Sequence, residues 1–140
     1  MFLKYYQKLD DAISYLFSSV SNEKKLLKSY FSNKKINYID IGTNEGGYLD
    51  FLSSFIKFKK IICFEPIKHL SDKLSTKYSK LNLLNFNLAV SNKNQTKFFY
   101  QYEISSQSSF YKQNDLFKSL KNLKKKFKIK SIKFDSFFKK

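Results

Sequence analysis

Two carboxylates and a glycine cluster are the residues best placed to do chemistry. All three glycines of the 140-residue chain fall within Gly42-Thr43-Asn44-Glu45-Gly46-Gly47, directly after the run Tyr38-Ile39-Asp40-Ile41. Glycine gathers where backbone must turn sharply or lie close to something bound. A dinucleotide turn would read G-x-G-x-x-G, with its second glycine clearing room for the pyrophosphate. Here that position is Asn44, and Glu45 adds negative charge where a helix should start, which is wrong for holding phosphate. The pattern Asp40-x-Gly42-x-Asn44-x-Gly46 suits a ligand of another kind. Gly42 and Gly46 let backbone pass beneath it, and Asp40 can meet an ammonium group directly or through water. Glu65 lies 25 residues beyond Asp40 at the end of the next apolar run. A carboxylate there can accept both hydroxyls of a ribose. Ile67, just after the only proline, can lie against a flat base. Together these describe a nucleoside with an amino-acid end and no phosphate.

The elements that must position these residues follow from hydrophobic spacing. Residues 2–20 carry apolar side chains at helical intervals from Phe2 to Val20, and Ser21 or Asn22 can cap a second short helix through Phe31. Residues 36–41 are a compact apolar run that reads as a buried strand. Residues 45–57 return to helical spacing, 60–66 are a second strand, 67–80 a helix with Leu70, Leu74 and Tyr78 four apart, and 82–90 a third strand. Strands alternating with helices through tight connections predict a parallel sheet covered by helices, in which ligands bind beyond the carboxyl ends of the strands. Residues 91–95 are turn chemistry, and 96–103 read as a strand returning in a hairpin against the third. Residues 104–112 read as a polar loop, 113–126 as a helix and 127–134 as a strand. The lysine-dense block at 118–130 reads as a solvated helix face.

Composition narrows the classes. The length suits one domain. One cysteine and one histidine leave no material for a disulfide framework or a His/Cys metal site, so no metal is expected, and a reducing cytoplasm is the expected location. No stretch has the roughly 18–20 uninterrupted apolar residues of a membrane span, and the start reads as mature chain rather than as a signal peptide. The formal net charge is +16, yet every basic residue is lysine. Arginine is the residue of bidentate phosphate and base recognition. Its absence, with abundant Asn, Ile, Phe and Tyr, reads as compositional bias more than as a nucleic-acid partner.

A phosphate-free nucleoside with a cationic amino-acid end is S-adenosylmethionine. The segments YIDIGTNEGGY, CFEPI and NLAVSN, in this order and spacing, resemble the FkbM family of S-adenosylmethionine-dependent methyltransferases. That family's pattern is a strand ending D-x-G-A-N-x-G, a strand ending F-E-P, and N-x-A-V-S-D. The resemblance covers about residues 36–138. It implies a Rossmann-like class I methyltransferase fold: α/β, with a mainly parallel sheet and flanking helices. It implies S-adenosyl-L-methionine as cofactor, and methylation of a hydroxyl on a sugar, glycan or small metabolite. Asp40, Gly42, Asn44, Gly46 and Glu65 become cofactor-binding candidates. Asn87, Ala89 and Ser91 fall where the family chain borders the adenosine. The serines of residues 104–109 resemble the family's serine cluster, and FDSF at 134–137 its threonine-leucine-aspartate segment. Thr43 stands where the family has alanine. The family continues past the point reached at Lys140, so residues 35–140 read as a partial methyltransferase domain, incomplete at its C-terminal side, behind a helical segment 1–34. No residue is nominated as the catalytic base. The alternatives are a non-catalytic remnant of such an enzyme and a basic nucleic-acid-binding domain. The bland readings are that Glu65 caps the helix after Pro66, that His69 is a surface residue and that Asp135 is a polar strand end. In the same vein, the Phe and Tyr side chains of residues 96–102 are read as packing residues rather than as base-stacking platforms.

Overall fold

Alternation along Lys35–Ile41 decides the first strand: Ile36, Tyr38 and Asp40 turn inward and are partly buried, while Asn37, Ile39 and Ile41 are exposed. The computed structural model describes residues 22–112 and 123–137. Helix α1 (22–31) leads into β1 (Lys35–Ile41), α2 (Gly47–Ser53), β2 (Lys57–Phe64), α3 (Lys68–Lys77) and β3 (Leu83–Phe86). Then come β4 (Ala89–Ser91), β5 (Gln95–Tyr102), a 3-10 turn (Ser105–Gln107), β6 (Leu123–Lys133) and the single-turn α4 (Phe134–Phe137). The helix expected over 2–20 lies outside the described residues. Among the described residues no helix is long and apolar enough to cross a membrane.

Strands β1, β2 and β3 form a parallel sheet in that order. It is the β-α-β-α-β unit expected from the spacing, in a mixed α/β fold compatible with a Rossmann-like architecture. Its helices pack through one stripe each. Leu49 of α2 and Leu74 of α3 are fully buried against Ile61 and Cys63 of β2, with Tyr78 closing the cluster. Burying a side chain such as Leu49 or Leu74 contributes about 1.5–3 kcal/mol. Asp50 in the first turn of α2 complements the helix dipole and pairs with Lys77 at 2.6 Å, tying α2 to the end of α3. Helix α1 is attached by the Tyr48 hydroxyl, which donates to Glu23 at 2.8 Å, and by Lys24 over the Phe51 ring.

Two expectations are corrected. The third strand does not run through 82–90. It ends at Phe86, and β4 joins a second sheet of order β4-β6-β5. The cause is Asn87: its Nδ2 donates to the carbonyls of Glu65 at 2.9 Å and Pro66 at 3.0 Å, which draws the chain across the tip of β2. Consequently β5 forms no hairpin with its predecessor. It runs antiparallel to β6, and β4 lies parallel on the other side of β6. The second correction concerns lysines 124–126, expected in a helix. They are strand, because the ladder with Gln95–Tyr102 supplies backbone partners that override lysine's mild helical preference. Residues 113–122 lie outside the described part. A second core forms where the two sheets meet, from Ile67, Leu70, Ala89, Phe99 and Ile129.

Candidate functional site at the strand tips

The parallel register sets Asp40 beside Cys63 and Ile41 beside Phe64. Glu65 follows, and its N–H donates to the Phe86 carbonyl at 3.0 Å, so the extended path continues one residue past β2. Side chains alternate along an extended chain, which puts Glu65 on the side of Cys63 and therefore of Asp40. Burial pushes up the pKa of both Glu65 and Cys63, and the Asp40 charge adds a smaller push in the same direction.

Glu65 is 3% exposed. Its Oε2 accepts the Asn44 N–H at 2.7 Å and its Oε1 the Ile67 N–H at 2.8 Å. Burial raises its pKa, and the two amide bonds pull the other way. One carboxylate thus clamps the glycine turn to the start of α3, whose N-cap Ile67 has no side-chain cap of its own. Asp40 is differently placed. It is partly buried, and its Oδ2 is buried with no hydrogen-bond partner. Burial holds its pKa above the usual aspartate value, opposed by the Tyr38 side chain. Burial and the Asp40 charge also keep the Tyr38 hydroxyl protonated far beyond its ordinary range.

Between these acids the turn is held in place. Gly42 and Thr43 both donate to the Phe64 carbonyl, at 2.8 and 3.3 Å. Asn44 adopts the left-handed region at φ 52°, and its Oδ1 accepts from Ser105 Oγ at 2.7 Å. Gly42 (φ 79°) has open space where a Cβ would be. Gly46 (φ 80°) does not: an added Cβ would lie 2.3 Å from the Tyr78 hydroxyl oxygen. Gly46 therefore lacks a side chain because of Tyr78, whose hydroxyl is within 2.8 Å of the Gly46 carbonyl and 2.7 Å of Asp50.

The expected residues thus separate. Asp40, Gly42, Asn44 and Glu65 come together at the tips of β1 and β2. One is corrected in role. Ile67, expected to offer a face to a base, is 2% exposed and packs into the second core, because α3 turns it inward with Leu70. Asn87 commits its amide to the Glu65 and Pro66 carbonyls. Ala89 is buried but borders a cavity of about 290 Å³ lined also by Gly42, Pro66, Leu88, Ser108 and Phe110. That cavity lies at the strand ends, near the low end of ligand-site sizes; neither Asp40 nor Glu65 is among its lining residues. A wider depression of about 660 Å³ runs along α3 between Glu45 of the glycine turn, His69 and Lys77. Ser105 and Tyr78 escaped the sequence reading as shapers of this turn. For Tyr78 the available signal was its place at the end of the apolar stripe Leu70, Leu74 and Tyr78, spaced four apart.

No family model matches the chain, and no curated protein or solved structure matches it either.

Proposed function

We propose that this chain binds S-adenosylmethionine at the β1 and β2 tips, as part of a methyltransferase acting on a hydroxyl of a sugar, glycan or small metabolite. The observation that carries the reading is the pair Asp40 and Glu65, on one side of adjacent parallel strands with the Gly42 turn between them. Asp40 fits the cofactor's ammonium group, since its buried Oδ2 lacks a partner that a cation would supply. Gly42 leaves room for close approach. Glu65 already serves two amides, but a carboxylate has about four lone-pair positions. Two remain for the ribose hydroxyls, so Glu65 would hold turn, helix and sugar together. When bound, the cofactor would supply a methyl group activated on a sulfonium, which would pass to an acceptor hydroxyl oxygen as the carbon–sulfur bond breaks, S-adenosylhomocysteine leaves and the hydroxyl proton is lost. The chain's part is then alignment and exclusion of water.

Calorimetric titration of S-adenosylhomocysteine into the folded chain tests this. Binding is expected, with Asp40→Asn weakening it about tenfold or more, in line with the loss of a charge-assisted bond. A folded chain that shows no binding overturns the proposal.

A further inference from the structure

Charge is unevenly distributed over this fold. Strand β6 is lysine at six of its 11 positions, and neither it nor β5 contains an acid. Among the described acids, Asp40, Glu45, Asp50, Glu65 and Asp72 belong to the half built on β1, β2 and β3, while Glu103 and Asp135 stand just beyond the C-terminal ends of β5 and β6. The antiparallel ladder pairs Thr96 with Lys130, Phe98 with Lys128 and Tyr100 with Lys126. Directly opposed residues share a face, so these six make one continuous surface. The other face sends Phe99 and Ile129 into the core at 5% and 8% exposure. Phe98, although aromatic, lies on the outer face and is 44% exposed.

The outer face alternates cations with rings. Lys126 Nζ stands 4.2 Å from the Phe98 ring centre and 5.5 Å from that of Tyr100, and Lys128 Nζ stands 5.6 Å from Phe98. Along β6 the three lysines follow each other at about 6.8 Å, two residue rises. No described carboxylate comes within ion-pair distance of them; the nearest described pair on this strand is Lys133 with Asp135 at 3.8 Å. Like charges side by side along a strand repel one another and work against the fold. A string of anions laid along the strand would reverse that sign.

We propose that the face formed by Phe98, Tyr100, Lys126, Lys128 and Lys130 is a platform for single-stranded nucleic acid. Its phosphates lie along the lysines and its unpaired bases stack against the two rings. Stacking needs free base faces, which a duplex keeps inside. A chain without arginine also lacks the bidentate readers of base edges, so binding here is tolerant of sequence. This surface is separate from the strand tips and stands whether or not the methyl-transfer reading holds.

The test is fluorescence anisotropy of the whole chain with a labelled oligothymidylate across a salt series, beside a duplex of equal length and anionic phosphatidylserine vesicles. The single strand is expected to bind tightest. The logarithm of its affinity should fall with log salt by about 0.7 for each phosphate neutralised. Changing Lys126, Lys128 and Lys130 together to Gln should flatten that slope by about 2. The exposed change Phe98→Ala should keep the slope and lose about fivefold or more in affinity, the cost of one lost stack. If the triple variant fails to fold, single Lys128→Gln serves, with about a third of the slope change. The proposal is overturned if the variants bind as wild type does, if duplex binds as well as single strand, or if vesicles bind as tightly as the oligonucleotide.

Discussion

Ser105 Oγ donates to Asn44 Oδ1 at 2.7 Å across a separation of 61 residues. The Asn44 N–H is meanwhile held by Glu65. One residue in a left-handed conformation is therefore gripped from two sides, by the tip of β2 and by the turn that follows β5. The two sheets share no strand ladder, so this bond joins them at the very place where the proposed ligand would sit.

Ser105→Ala should cost about 1 kcal/mol, because it leaves a partly buried amide oxygen without its donor. Urea denaturation should show a lower midpoint at unchanged slope. Hydrogen exchange at the Asn44 amide should quicken, and Ser105→Thr should restore both. Unchanged exchange at Asn44 in the alanine variant would mean that the two turns move independently.

The two left-handed glycines make a matched pair. Their φ values are 79° and 80°, so alanine meets the same backbone penalty at each, about 1–2 kcal/mol. Only Gly46 adds a collision with Tyr78, and overpacking of this kind costs roughly 1–3 kcal/mol more. Gly46→Ala should therefore destabilise beyond Gly42→Ala by that margin in chemical denaturation. Tyr78→Phe should recover part of the difference by removing the closest atom. Equal losses at the two glycines would contradict the contact.

Asp40 links stability to pH in a definite direction. Its pKa is raised in the folded chain, chiefly by burial. Between the unfolded and folded values the folded state binds more protons, so stability falls as pH rises through that window. The penalty is complete above it and absent well below the ordinary aspartate value of about 3.9. Asp40→Asn removes the charge and keeps an acceptor for Tyr38. It should stabilise the chain at neutral pH by on the order of 1 kcal/mol, with the gain vanishing in acid. Denaturation midpoints compared at pH 7 and pH 3 check this. The same variant is expected to bind cofactor less well, a gain in stability at the cost of function.

Strands β1 and β2 and the turn between them were legible because each level of the sequence agrees there: short apolar runs, clustered glycines and helical spacing afterwards. The break at Asn87 was not legible. The stretch 82–90 would read continuously apolar but for its asparagines, and only the folded tip of β2 offers the two carbonyls that Asn87 takes. Lysines 124–126 mislead for a related reason: a run of one residue type has no period, and the deciding partner, β5, is distant in sequence. At the site, residue types pointed to Asp40 and Glu65. They did not disclose that Glu65 is committed to two backbone amides, because such bonds depend on how loops from different elements meet. Ile67 shows the limit of position alone. It follows Pro66 as expected, but the first turn of α3 rotates it into the core.

Cys63 carries a practical consequence. It is the chain's only thiol, wholly enclosed, one strand away from Asp40, with burial pushing its pKa up to about 11. A closed fold therefore shields the sulfur from alkylating reagents, and its labelling rate times the opening of the parallel sheet beneath the strand tips. Nature has put a stopwatch under the region whose movements matter most, and reading it requires no engineered probe.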